Sequence, residues 1–290
     1  MGPCECRYYL RLDDGSVECQ LCPHHCHIGN SKTGICRSRR NHDGVLISEV
    51  YGKLCSLAID PVEKKPLYHF HPGTACLSLA CTGCNFRCLN CQNHEISQVA
   101  PAEVDYYKLS PEEVVSLCKK HHCPGIAYTY TEPLTYLEYI IDIAKLAHEA
   151  GLWNILVSAG YVCQDPLKDL LPYLDAANID LKSFSDDIYR KVSGGHLQPV
   201  LNTILAMRDA GVWVEITNLV IPGINDDMKM IQEMCQWLKE NNLADAPLHF
   251  SRFFPRYKMS QLSPTPVQTL KAAKQIAEEA GIRYVYLGNV

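Results

Sequence analysis

From Thr74 onward the chain alternates between short apolar runs and amphipathic helical segments, and this alternation restricts it to folds built on a parallel sheet. Strands are predicted over Thr74–Ala80, Gly125–Thr131, Trp153–Ala159, Ala177–Lys182, Val212–Ile221, Leu248–Phe253 and Tyr284–Leu287. Ser110-Pro111-Glu112-Glu113 opens a helix with an N-cap, a proline at the first position and early acids. Leu134, Leu137, Ile140, Ile141, Ala144 and Ala147 recur at helical spacing, and Gly151 stops the run. A short helix starts at Asp165-Pro166, and longer ones cover Leu197–Ala210, Asp227–Glu240 and Pro266–Ala280. Strand, helix and strand in succession require right-handed crossovers between parallel strands. Six such units and a terminal strand predict an α/β fold: an open, partial (β/α)6 barrel of TIM-like shape. A doubly wound sheet is the alternative, but no Gly-rich dinucleotide loop follows the first strand.

The segment 1–72 reads as a separate cysteine-rich unit ahead of the barrel at 73–290. Val45 to Ile59 alternates as a small hairpin turning near Tyr51-Gly52-Lys53. Asp60 to Gly73 is punctuated by prolines and reads as a linker, its Lys and His residues forming a solvated face or, less simply, a lip over a substrate.

The formal net charge of −5 and the absence of a basic run disfavour nucleic acid as a partner, because phosphate binding needs clustered Lys and Arg. The start of the chain has no apolar secretory region, and no run approaches the length of a membrane span. Sixteen cysteines in such a chain point to metal or cluster ligands in a reducing, cytoplasmic setting, not to a disulfide framework.

Three of those cysteines, Cys84, Cys88 and Cys91, sit at C-x3-C-x2-C in the loop after the first strand. So short a loop can bring three thiolates to one inorganic cluster. A [4Fe–4S] cluster normally takes four cysteines, so three leave one iron open, as catalytic metal sites do. A zinc knuckle is the plainer alternative, although zinc sites usually draw ligands from two separated pairs. A second group, Cys19, Cys22, Cys26 and Cys36, has four thiols and reads as a closed site for auxiliary zinc or a second Fe–S cluster. His24, His25 and His27 are close enough in sequence to replace one of them.

Strand side chains alternate faces, and the apolar faces must meet the covering helices. The polar faces, Asn178/Asp180/Lys182, Glu215/Thr217, His249/Ser251 and Asn154/Ser158, then point into the lumen. Burying such groups costs several kcal/mol each unless they are paired or used. Asp180, Lys182, Glu215 and His249 are therefore the candidate catalytic residues, with a purely structural Asp180–Lys182 pairing as the bland reading.

Thr74–Val290 resembles the radical S-adenosylmethionine (SAM) superfamily on its C-x3-C-x2-C loop and four further elements. Thr129-Tyr130-Thr131-Glu132-Pro133 stands where the family has Gly-Gly-Glu-Pro, so Glu132, and with it Thr131, would lie at SAM's amino group. Ser158 in Val157–Tyr161 would be a further SAM contact. Asp180-Leu181-Lys182 and Asn93 match elements of glycyl-radical-enzyme activases, and Val220–Asp226 resembles the place where their adenine packs. The resemblance implies SAM bound at the open iron of a [4Fe–4S] cluster. There one electron splits it into methionine and a 5′-deoxyadenosyl radical that abstracts hydrogen from a substrate. The N-terminal cysteines, Glu63-Lys64-Lys65-Pro66-Leu67, Phe70–Gly73 and Cys91-Gln92-Asn93 together resemble the radical SAM protein of the AmmeMemoRadiSam system. That likeness implies Memo-type and AMMECR-type partners, an electron donor such as flavodoxin or ferredoxin, and a small-molecule or peptide substrate. An activase acting on a partner enzyme's glycine and a non-catalytic metal-binding module are the competing readings.

Overall fold

The computed structural model describes residues 2–290. Its main sheet has nine strands, seven of them parallel: Ala75–Cys81 (β1), Gly125–Tyr128 (β2), Trp153–Ser158 (β3), Ala176–Asp180 (β4), Trp213–Val220 (β5), Leu248–Arg252 (β6) and Val285–Gly288 (β7). They lie side by side in chain order, as right-handed crossovers require. The intervening helices are Pro111–Lys120 (α1), Leu137–Glu149 (α2), Gln164–Leu170 (α3), Leu197–Asp209 (α4), Met228–Glu240 (α5) and Val267–Ala280 (α6). This is the six-unit partial barrel with a terminal strand, and its edges stay unjoined in the sheet order. The α1 cap forms as read: Ser110 Oγ accepts from the Glu113 N–H, and the Glu113 carboxylate accepts from the Ser110 N–H. No helix among the described residues is long and apolar enough to cross a membrane.

The outward strand faces make the core with the helices. Leu79, Tyr128, Leu156, Ile179, Ile216 and Phe250 belong to one buried cluster with Ile140, Ala144, Ile204, Leu238 and Leu270. The inward faces meet a smaller apolar cluster of Val62, Leu67, Cys76, Ala127, Ile155 and Ala176. Val62 and Leu67 come from the proline-rich linker, which therefore enters the barrel instead of lying on its surface. Burying each is worth about 1.5–3 kcal/mol. Lys65 is 1% exposed, so the solvated-face reading of the linker fails for it: its ammonium binds Asp60 at 2.7 Å inside the fold.

Two other expectations are corrected. Val45–Ser48 and Lys53–Pro61 turn where predicted but do not pair as a hairpin. The first joins a small sheet with Cys4–Glu5 and Arg39–His42, while the second runs antiparallel to β1 and extends the main sheet. Both have better partners elsewhere, which local alternation cannot show. Asn154 faces the helices, not the lumen: its amide donates to the Ala144 carbonyl of α2 and it accepts from the Tyr128 hydroxyl. A polar residue placed against a helix is tolerated because both its groups are satisfied.

The N-terminal segment is clamped to the barrel by a fully buried ion pair. Arg39 on the small sheet donates to Glu138 of α2 at 2.5 Å and, through Nε, to the Thr135 carbonyl at 3.2 Å.

Candidate active site

The three-cysteine loop leaves the C-terminal end of β1, where Cys81 is fully buried on the helix-facing side. Gly83 has a φ of 106°, and a Cβ there would collide with Ser38 Oγ and the Cys36 carbonyl. Glycine is required both by the backbone conformation and by this close approach. Gly83→Ala is expected to lower stability by about 1–3 kcal/mol and to reduce iron retention; denaturant unfolding and iron analysis check this, and an unchanged protein would contradict the close packing.

Beyond Gly83 the loop is pinned at almost every residue. Asn85 donates to the Tyr161 carbonyl at 2.7 Å, Arg87 N to Ser193 O at 2.8 Å, and Leu89 N to Val192 O at 3.0 Å. Phe86 is buried against Tyr161, and its N–H points at Cys84 Sγ, 3.3 Å away. Cys91 Sγ lies 3.1 Å from Ser97 Oγ. Cys84, Cys88 and Cys91 all line one cavity of about 330 Å³ at the C-terminal ends of the strands, where parallel barrels carry their sites. All three are free thiols. Soft, unpaired thiols facing one cavity are the donor set an Fe–S cluster takes, so the residues fit that cofactor.

The other resemblance-derived residues reach the same cavity. Glu132 is buried and accepts from Ser158 Oγ at 2.6 Å, Ala159 N at 2.9 Å and Leu134 N at 3.2 Å. Burial pushes its carboxyl up, against the pull of the bonds from Ser158 and Ala159. Ser158, unlike Asn154 on the same face, reaches the cavity because β3 ends there. Thr131 Oγ1 donates to the Cys81 carbonyl at 2.6 Å, and Asn93 donates to the Tyr130 carbonyl at 3.0 Å, tying the cluster loop to the β2 end. Asp180 and Lys182 do pair, at 2.9 Å, and both line the cavity. Burial works against the Lys182 charge, but the Asp180 carboxylate beside it holds its pKa well above the ordinary value. The Lys182 backbone is fixed by the Tyr189 hydroxyl and by Asn225. Ile221, Ile224 and Asn225, from the motif after β5, line the same wall.

Glu215 and His249 are not brought to the cavity. They pair with each other at 2.7 Å, and the Glu215 carboxylate also accepts from the Tyr68 and His69 N–H groups and from Trp213 Nε1. Four donors leave it no free lone pair for a substrate, and together they hold the linker in the barrel. Hydrogen bonds from His249 and the two amides keep its carboxyl below its usual range despite burial.

Sequence reasoning passed over Tyr130, Asp60 and Lys65. Tyr130 stands where the resembled motif has glycine yet keeps a φ of 69°, a conformation rare for a bulky residue. Its hydroxyl binds Asp60 and accepts from Lys65 Nζ at 3.2 Å, so the linker supports the strained residue. The proline-flanked Lys-Lys pair was the available signal. A wider hollow of about 1080 Å³ lies between His42, Glu49, Tyr51, Lys53 and Glu113, but no cysteine lines it.

Cys19, Cys22, Cys26 and Cys36 gather around a separate, small cavity with His24 and Arg39.

The sequence profile of the radical SAM superfamily matches residues 79–238. An uncharacterised protein of Methanocaldococcus jannaschii is 47% identical over 286 residues, covering 99% of this chain and 85% of that protein. The pyruvate formate-lyase 1-activating enzyme of Escherichia coli is 23% identical over 220 residues, 70% of this chain and 89% of the enzyme. Among solved structures, a radical SAM methyltransferase from Sphaerobacter thermophilus matches with a TM-score of 0.58 at 13% identity, over 99% of this chain and 78% of that one.

Proposed function

Since this chain belongs to the radical SAM superfamily, whose members bind a [4Fe–4S] cluster and SAM, we propose that it is an enzyme using both for hydrogen abstraction from a small-molecule or peptide substrate. The observation that carries this reading is the convergence of Cys84, Cys88, Cys91, Glu132, Ser158, Asp180 and Lys182 on one cavity. When bound, the cluster and SAM supply a 5′-deoxyadenosyl radical by one-electron reductive cleavage.

The chain's own residues hold, orient and shield. Cys84, Cys88 and Cys91 would hold the cluster, three thiolates for four irons. The Glu132–Ser158 unit, with Asn93 and Thr131 beside it, positions SAM's amino end, and Ile221 and Ile224 offer an apolar surface to its base. Lys182 is the charged donor for the SAM carboxylate or a ribose hydroxyl, and Asp180 keeps it protonated and directed. The linker, locked by Glu215 and His249, closes the far end of the lumen and keeps water from the reactive end. Glu215 and His249 are thus positioning residues in this reading.

The chain also belongs, in this proposal, to the AmmeMemoRadiSam system, working in the cytoplasm with Memo-type and AMMECR-type partners and drawing electrons from a flavodoxin or ferredoxin. Glycyl-radical activation is the second reading, favoured by Asn93 and the Asp180–Lys182 pair.

The test is anaerobic incubation with dithionite and SAM, reading 5′-deoxyadenosine per cluster. A charged hydrogen bond contributes about 1.5–3 kcal/mol, or roughly ten- to hundredfold in rate at about 1.4 kcal/mol per factor of ten. Lys182→Ala is expected to keep its cluster spectrum and form product more slowly by that factor. Equal yields across a SAM titration would make Asp180–Lys182 a structural pair only, and no product from the wild type would refute the reading.

A further inference from the structure

We infer that Cys19, Cys22, Cys26 and Cys36 hold a second, closed iron–sulfur cluster, in preference to zinc, on the back of the catalytic loop. The iron count and coupling expected of the wild type rest on the cluster proposed at Cys84, whereas the triple variant reports on this site alone.

The four thiols are free, and they wall a cavity of about 10 Å³ that is narrower than the catalytic one. Ile35 N–H donates to Cys26 Sγ at 3.5 Å.

Arg39 adds a second, independent sign. It is fully buried, lines the same cavity, and its Nη1 has no partner. A buried N–H is rarely left unpaired, so an unpaired guanidinium nitrogen beside four thiols points to an anionic group between them. Thiolates and the sulfides of a cluster together make such a group.

The spacing separates cluster from zinc. Zinc–sulfur bonds of about 2.3 Å would draw four sulfurs to within about 4 Å of one another. Among the described residues, no three Cys, His, Asp or Glu side chains converge on a single-ion point, neither here nor at Cys84, Cys88 and Cys91. In a cluster each thiolate has its own iron, so the sulfurs stand farther apart.

The two sites share a wall. Asn85 lines the N-terminal cavity, and its carbonyl lies 2.8 Å from His24 Nε2. Ser38 Oγ donates to the Thr82 carbonyl at 3.0 Å, and Gly83 abuts the Cys36 carbonyl. The backbone of 82–85 separates the two thiol groups.

The experiment is anaerobic reconstitution with ferrous iron and sulfide of the full chain and of a Cys84→Ala/Cys88→Ala/Cys91→Ala variant. Iron, sulfide and zinc are counted, and the dithionite-reduced proteins are examined by EPR. The wild type should bind about eight irons and eight sulfides, and the triple variant should keep about four of each without zinc. The reduced wild type should show a spectrum broadened by coupling between the two clusters, absent from the triple variant. A triple variant without iron, or with about one zinc per chain, would overturn the cluster, and uncoupled signals in the wild type would overturn the shared wall. Because the variant leaves the N-terminal cysteines intact, its folding does not hinge on the site under test.

Discussion

Cys84→Ala should lose the four irons of the catalytic loop and with them all detectable 5′-deoxyadenosine, a larger effect than at any position outside the three ligands. Three thiolates hold three of the cluster's four irons and leave one open, and the N–H of the buried Phe86 fixes the Cys84 sulfur at 3.3 Å. Two remaining thiols cannot replace it, because the loop that follows is pinned by the Asn85 side chain to the Tyr161 carbonyl and by the Arg87 N–H to the Ser193 carbonyl. Cys81→Ala is the matched control. Its sulfur is buried on the outer face of β1, away from the cavity, and its removal should cost only about 1–2 kcal/mol of stability. Iron per chain and product yield decide the matter. Retained iron in Cys84→Ala with loss in Cys81→Ala would reverse the ligand assignment.

Arg39→Met should destabilise the fold by about 3–5 kcal/mol, the range for removing one partner of a buried ion pair. Both side chains are 1% exposed, so Glu138 would be left charged inside the protein with only the Arg7 amide for company. Removing both charges, Arg39→Met with Glu138→Leu, should restore at least half of the loss, since the orphaned carboxylate disappears. Denaturant unfolding of the singles and the double gives the coupling. A single variant within 1 kcal/mol of the wild type would show that the clamp between the N-terminal sheet and α2 contributes little. Iron content measured on the same proteins reports on the N-terminal site as well, because Arg39 lines it.

The barrel strands could be placed within a few residues because parallel strands covered by helices read as continuous apolar runs, a pattern contained in local sequence. The strand predicted over Gly125–Thr131 ends at Tyr128, three residues early, because Tyr130 turns into the left-handed region to shape the cavity. The cluster loop was equally legible, since C-x3-C-x2-C is a local spacing and needs no partner to be recognised. So was the inward orientation of Asp180 and Lys182, which follows from the two-residue period of a strand.

What the sequence determined by itself is therefore whatever depends on neighbours in the chain: strand and helix positions, the order of the sheet, and the thiols of each group. The tertiary structure alone decided which lumen residues share a site and which do different work. Glu215 and His249 have the same polar, inward character as Asp180 and Lys182, yet they lie where the linker enters and are saturated by its amides. Asn154 and Ser158 share a face of one strand, yet one meets a helix and the other the cavity. The contacts that settle these cases join residues 10 to 147 positions apart, and alternation along a strand carries no information about what closes over either end of it.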